Sequence, residues 1–448
     1  MKLQTLLVCK SSARSVIVCL TLVVCCGAVF SQNKHIDSLN TLLEEDRHVD
    51  RYSVLYELTF EYLSQSDFTT ALGYISQARA LALSGRDSLR IVKAYRVEAQ
   101  VLRKLSRTQE AIALFVTALP IAQRNAYLEE EKYILNGLAV AHTFLAEYDK
   151  ALKYNYASLE IREKEGDLEE LCIAHNNIGI VHFKLKNYEE ALKNYLQAFE
   201  LKKQSGNRFF RDQLLINIGL CYNQLKEFDQ ARIFIMQAIE ECRENCSDEA
   251  MMSSEFGLGV SLFGVGQFQE AEGHFVKSYE MAEKLKDLRF QIETMVYRSK
   301  INIKLERYDL ATEILGKAEQ LALTTNYNEL LIDIFRQYSI LANITENFPE
   351  AARYQQRYIR LKDSIYNEAL IKNLASVQTA YDARENMKAT SEKDDSLAMN
   401  ERIIASDRQV YFFIAAVSVL AIVAAYVLFR FNRRQHIANN ELDARTEK

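Results

Sequence analysis

The sequence predicts an all-α protein: a solenoid of about eight helix pairs, followed by a connector helix and one membrane-spanning helix. Three observations carry that prediction. Alanines stand 40 residues apart, without a slip, at Ala71, Ala111, Ala151, Ala191, Ala231, Ala271, Ala311 and Ala351. Three residues ahead of them the chain reads Phe68, Thr108, Tyr148, Tyr188, Phe228, Phe268, Tyr308 and Phe348, aromatic in every copy but the second. Finally, the 20 residues from Val410 to Phe429 carry no charge.

The stretch from Asn176 to Glu200 shows how one unit is built. Ile178, Gly179 and His182 fall at helical spacing, the four residues from Lys184 to Asn187 form a turn, and Tyr188, Ala191, Tyr195 and Ala198 again step by three or four. Two helix faces are thereby specified. Small residues at Gly179, Ala191 and Ala198 let the two axes approach closely, and Tyr188 fills the gap that remains. In the eight copies the small position of the first helix is Thr59, Ala99, Ala139, Gly179, Gly219, Gly259, Ser299 and Ser339. The later alanine of the second helix is Ala78, Ala118, Ser158, Ala198, Ala238, Ser278, Ala318 and finally Tyr358, so the last copy loosens as a terminal cap should.

This order of small, aromatic, alanine, aromatic and alanine positions resembles the tetratricopeptide repeat, over about Tyr52 to Ile371. The usual repeat has a period of about 34 residues with a Trp and a Pro; this chain has period 40, no Trp and two Pro. The longer period is similar to that of the kinesin light chain and bacterial regulator types. The resemblance implies a right-handed superhelical solenoid whose first helices line a concave groove that holds a peptide or protein.

Along the chain, residues 1–31 have the layout of an export signal, with Lys2, Lys10 and Arg14 before an apolar run from Val16 to Phe30 and cleavage expected after Ser31, the alternatives being an uncleaved membrane anchor or a lipoprotein signal. Residues 32–51 supply a capping helix with Ile36, Leu39, Leu42 and Leu43 on one face. Eight repeats follow over 52–371, with breakers and helix starters at Gly85, Gly166, Gly206, Ser247 and Lys286. Pro120 should kink its helix, whereas Pro349 suits a helix start. Residues 372–409 read as a helical connector whose weak coiled-coil seam runs through Leu370, Leu374, Val377 and Tyr381, interrupted over 389–396 and resumed as a polar helix from Leu397 to Arg408. The apolar run 410–429 matches a bilayer core of about 30 Å. Arg430, Arg433 and Arg434 follow it directly and, with the export signal, predict the tail 430–448 in the cytoplasm and the repeats in the periplasm of a bacterial inner-membrane protein, or outside the cell if there is only one membrane.

The composition excludes several functions. A net charge of -5 gives no basic field for nucleic acid. The sequence lacks phosphate-loop, dinucleotide, nucleophile-elbow and zinc-protease motifs, so no enzyme, cofactor or metal is expected. Four cysteines leave with the export signal; Cys172, Cys221, Cys242 and Cys246 read as unpaired thiols, with a Cys242–Cys246 disulfide conceivable at a helix end. His142, His175 and His182 occupy repeat positions and read as packed structural histidines. The acidic clusters Glu44 with Glu45, Glu129 to Glu131 and Glu189 with Glu190 read as solvated faces.

Binding therefore belongs to the groove. Asn177 and Asn217 stand two before the small position in the fourth and fifth repeats, with Asn136 one position off in the third. An amide both donates and accepts, so such a ladder can pair with the backbone of an extended peptide. Peptide-binding relatives use asparagines in this way; the alternative, that these only bond between helices, stays open. Lys184 and Gln224 lie seven residues further on and could read an acidic side chain or carboxylate. Export signal, repeats, connector, membrane helix and basic flank together resemble the sensor half of bacterial tetratricopeptide signalling proteins, in which a histidine kinase or helix-turn-helix domain follows the membrane helix. The expected function is a membrane-anchored scaffold or sensor with a cytoplasmic signalling partner. The alternatives are the input module of a truncated sensor kinase or regulator, and a structural envelope-assembly protein. Ala421 with Ala425 and the seam hint at a homodimer.

Overall fold

The computed structural model describes residues 34–44, 49–242, 246–325 and 327–446. The expected export signal, 1–31, lies outside them. Helix α1 spans 34–44. Four helix pairs follow: α2 (Arg51–Ser64) with α3 (Phe68–Gly85), α4 (Ser88–Lys104) with α5 (Thr108–Arg124), α6 (Leu128–Phe144) with α7 (Tyr148–Glu165), and α8 (Leu168–Lys184) with α9 (Tyr188–Gln204). Four more complete the series: α10 (Arg211–Gln224) with α11 (Phe228–Cys242), α12 (Asp248–Gly264) with α13 (Phe268–Leu285), α14 (Leu288–Lys304) with α15 (Tyr308–Thr325), and α16 (Asn328–Ile344) with α17 (Phe348–Ile365). The last helix is α18 (Glu368–Thr446). From α2 to α17 each helix packs on the next, and most first helices also touch the first helix of a neighbouring pair, as α4 does α6 and α10 does α12, the arrangement of a solenoid.

The 40-residue alanines are what the pairs close on. Seven of the eight have no exposed surface, and only Ala351 in the last pair keeps 4%. In α17 just Ala351 and Tyr354 are buried, so the loosening read from Tyr358 is real. At the other end α1 buries Ile36 and Leu39 against Val54 and Leu58, while Leu42, expected on the same face, is exposed.

The turn inside each pair has a feature the sequence does not announce. A residue with positive φ recurs every 40 positions, at Ser66, Ser106, Ala146, Lys186, Lys226, Gly266, Glu306 and Glu346, and only one of the eight is glycine. The left-handed residue lets the chain reverse while the next amides reach back into the helix, as Lys186 N–H to Phe183 O (3.0 Å) and Asn187 N–H to His182 O (2.9 Å) do. Between pairs, Gly166 takes the left-handed position as expected, but Gly85 is still helical and Arg86 takes it instead. Asp87, Asp167, Ser247 and Asp287 then cap the following helices through their side chains.

Other expectations are corrected. Glu130 is not on a solvated face: it is buried and paired with Arg96 at 2.6 Å, because α4 packs over the start of α6. Cys242 and Cys246 are joined as a disulfide rather than left as thiols, while Cys172 and Cys221 are free and buried. The 389–396 stretch does not interrupt its helix. It contains no Pro or Gly, and its hydroxyls bond within the helix, Thr390 Oγ1 to Asn386 O at 2.8 Å and Ser396 Oγ to Lys393 O at 2.9 Å.

The chain divides into two compact units, Met1–Val377 and Gln378–Lys448. Described residues of the second unit are helical, and the run 410–429 is long and apolar enough to cross a bilayer, with its side chains uncovered. Within the first unit the solenoid closes on itself. The Tyr148 hydroxyl of the third pair donates to Glu329 Oε2 of the eighth at 2.9 Å, Tyr366 donates to the Lys184 carbonyl at 3.4 Å, and Asn373 donates to Asp149 at 2.9 Å.

Candidate functional site

Closure leaves a cavity of about 480 Å³ on the inner side, within the range of pockets that hold small ligands or peptide side chains. Five first helices contribute to it. The end of α8 and its turn give Phe183, Lys184 and Lys186, and the start of α9 gives Tyr188; α10 gives Leu220 and Gln224; α12 gives Phe256 and Val260. From α14 come Arg289, Phe290, Glu293, Val296, Tyr297 and Lys300, from α16 Glu329, Leu330, Asp333 and Arg336, and Tyr366 completes the wall. A smaller cavity of about 220 Å³ shares Lys186, Asp333, Arg336 and Tyr366.

Because the helices repeat every 40 residues, the lining is a set of stripes. One runs Leu220, Val260, Lys300; another runs Phe256, Val296, Arg336; a third runs Glu293, Asp333. Along two of these stripes the side chain is apolar in the earlier repeats and cationic in the last. The cavity is therefore apolar at one end and charged at the other.

Glu329 organises the charged part. It pairs with Arg289, lies 3.9 Å from Lys184 and accepts the Tyr148 hydrogen bond. Burial alone would raise the Glu329 carboxyl, yet Arg289 and Lys184 overrule it and the net shift is downward. Arg289 also meets Glu293 at 2.9 Å. Lys184, with 26% of its side chain exposed, is held below the ordinary lysine value first by burial and then by the Arg289 charge. Lys300 is lowered by burial too; Asp333 opposes the shift, and Arg336 and Lys186 add to it. Its ammonium sits over the Tyr297 ring, 4.0 Å from the centroid. Burial pushes Tyr188 and Tyr366 up to about 12, so both hydroxyls stay protonated donors at neutral pH.

Of the four residues singled out from sequence, Lys184 and Gln224 both line this cavity, and Asn177 and Asn217 do not. The asparagine amides are engaged with neighbours: Asn177 Nδ2 donates to Asn136 Oδ1 at 2.7 Å, Asn217 Nδ2 donates to Asn176 Oδ1 at 3.2 Å, and Gln213 donates to Asn217 Oδ1 at 3.2 Å. They tie consecutive first helices together. Sequence reasoning missed Arg289, Lys300, Glu329, Asp333 and Arg336. Following the 40-residue stripe of Leu220 for two more steps would have found Lys300.

The three histidines read as structural are buried and bonded: His142 Nδ1 to Glu147 at 2.5 Å, His175 Nδ1 to Asn194 at 3.2 Å and His182 Nε2 to Tyr156 at 3.4 Å. No group of three potential metal ligands occurs among the described residues.

Residues 133–204 and 210–284 match the tetratricopeptide repeat family. The apo form of the quorum sensor NprR from B. thuringiensis has a similar fold, at 16% identity and TM-score 0.56, covering 72% of this chain and 91% of that one. The apo form of RapI is similar at 16% identity and TM-score 0.53 over 62% of this chain and 99% of its own. A Rap protein complexed with competence and sporulation factor is similar at 14% identity and TM-score 0.52, over 71% of this chain and 99% of its own. These identities show a shared fold. No curated protein sequence matches the chain.

Proposed function

We propose that this chain, a tetratricopeptide-type helical repeat protein, is a membrane-anchored interaction scaffold whose repeats take up a peptide or a segment of a partner protein in the inner cavity. The carrying observation is the cavity itself: five first helices converge on one space that mixes aromatic walls with fixed charges. Lys184 and Gln224 are assigned to the ligand, and Asn177 and Asn217 to holding adjacent first helices in register. One structural neighbour was solved with competence and sporulation factor bound, which is consistent with ligand capture on this fold.

The span 410–429 is read as the anchor, with the repeats periplasmic and Arg430, Arg433 and Arg434 on the cytoplasmic side. Tyr366 supports a signalling role, since it lines the cavity two residues before α18 begins. A ligand touching Tyr366 acts on the start of that helix.

Photocrosslinking in cells tests the binding reading. A photoreactive residue at Val260, inside the cavity, is expected to yield a partner adduct, and one at Ile233, exposed on a second helix, is not. Equal labelling from both positions, or none from 260, refutes it. Exchanging 410–429 for an unrelated membrane helix separates signalling from anchoring: signalling predicts loss of the response, an anchor alone predicts none.

A further inference from the structure

The cavity's polarity says what kind of ligand it takes. Leu220, Val260, Phe256 and Val296 make its apolar end, and the same repeat positions carry Lys300 and Arg336 at the other. Glu329 and Glu293 are committed to Arg289, and Glu329 also faces Lys184. Lys186, Lys300 and Arg336 remain. Among the described residues none of the three has a carboxylate oxygen within 4.0 Å. The nearest compensation is one carboxylate, Asp333, which lines the same space.

We propose that Lys186, Lys300 and Arg336 form an oxyanion site, and that the ligand is an amphipathic anion whose apolar body lies along Leu220, Val260 and Phe256. Three cations facing one carboxylate in a recess leave positive charge that an incoming anion neutralises. Burial is the main cause of the lowered Lys300 ammonium, and beyond the opposing Asp333 the Arg336 and Lys186 charges add to it, as neighbouring cations would. Lys186 sits in the turn of the fourth pair, while Lys300 and Arg336 belong to the seventh and eighth. The oxyanion would therefore bridge the two sides of the closed solenoid rather than rest on adjacent repeats. Carboxylate and phosphate both satisfy this chemistry, the first as a peptide C-terminus or acidic side chain and the second as a phosphate ester.

This inference rests on the cavity being the binding site, and the test separates the two. The full-length chain in lipid nanodiscs is titrated calorimetrically, against empty discs, with N-acetyl-leucyl-phenylalanine, its C-terminal amide, phenyl phosphate and inorganic phosphate. At least one of the two amphipathic anions is expected to saturate, the acid exceeding its amide or phenyl phosphate exceeding inorganic phosphate by about tenfold. Lys300→Gln and Arg336→Gln should each weaken that anion by about tenfold, with Arg336→Lys restoring part of it. Arg336 is exposed, so its replacement leaves the fold intact, which circular dichroism verifies. The proposal is overturned if no anion saturates, if acid and amide bind alike and phenyl phosphate binds no better than inorganic phosphate, or if both glutamine variants bind as the parent does. Should adducts from position 260 persist while every anion fails, the oxyanion site falls and the scaffold reading stands; if both fail, the cavity is not the binding site.

Discussion

Gly219→Ala is the sharpest test of why the small position of the first helix is small. A Cβ built on Gly219 lies 2.5 Å from Ile235 Cγ1 and 3.1 Å from the Ala231 carbonyl oxygen, both in α11 of the same pair. Ordinary carbon contacts are about 3.5–4.0 Å, so the first is too short by about 1 Å. Cγ1 is at the root of the isoleucine side chain and Ala231 O is backbone, so neither can swing away as a flexible tip would. Overpacking of this kind costs up to about 3 kcal/mol, and alanine's better helix propensity returns about 1, leaving a net loss of about 2 kcal/mol. The control is Gly273→Ala in α13, where nothing lies within 4 Å of the added carbon. There only the propensity gain of about 1 kcal/mol remains. Circular-dichroism melts of the detergent-solubilised chain give the ranking, and hydrogen exchange in α10 and α11 localises it, because repeat arrays need not unfold in one step. A Gly219→Ala chain that melts at or above the parent would refute the close-approach argument. Adding Ile235→Ala should make the pair of substitutions cost less than their sum, since the clash disappears with Cγ1.

Three further outcomes are expected. Gly266→Ala, at φ +84 with open space around it, should cost about 1 kcal/mol through backbone conformation alone, measured by the same melt. Glu329→Gln should destabilise the chain by about 2 kcal/mol at pH 7 and loosen exchange protection in α8 and α16. The folded Glu329 carboxyl lies below its ordinary value of 4.5, so its contribution is present above that pH and lost as pH falls through the folded value; the gap between parent and variant should close on acidification. An unchanged gap at pH 3 would contradict the ion-pair account. Glu130→Ala leaves Arg96 without its buried partner and should cost about 3 kcal/mol, whereas Glu189→Ala, on an exposed position, should stay within about 0.5.

What could be read from the chain is what the chain repeats. Ala71 to Ala351 and Thr59 to Ser339 each answer a local packing demand that recurs in every pair, so the period shows it eight times. The left-handed turn residue recurs as strictly, but five residue types fill it, because an exposed position tolerates any side chain that can bear the conformation; regular structure therefore left no regular sequence. Closure of the solenoid is different again. Tyr148 meets Glu329 across 181 residues and Asn373 meets Asp149 across 224, each contact made once, so no periodic signal can exist for them and the charged cavity they shape was not foreseen. The asparagines carry the opposite lesson. Asn136 with Asn177 and Asn176 with Asn217 are each 41 residues apart, one more than the period. A separation of 40 puts two side chains at the same angle on successive helices, whichever way that angle faces; Asn177 and Asn217 are such a pair and neither lines the cavity. One residue more turns the second by about 100° about its helix, so it presents its amide to the first. The extra residue distinguishes a helix-to-helix bond from a ladder, and it was present in the numbering of the four asparagines themselves.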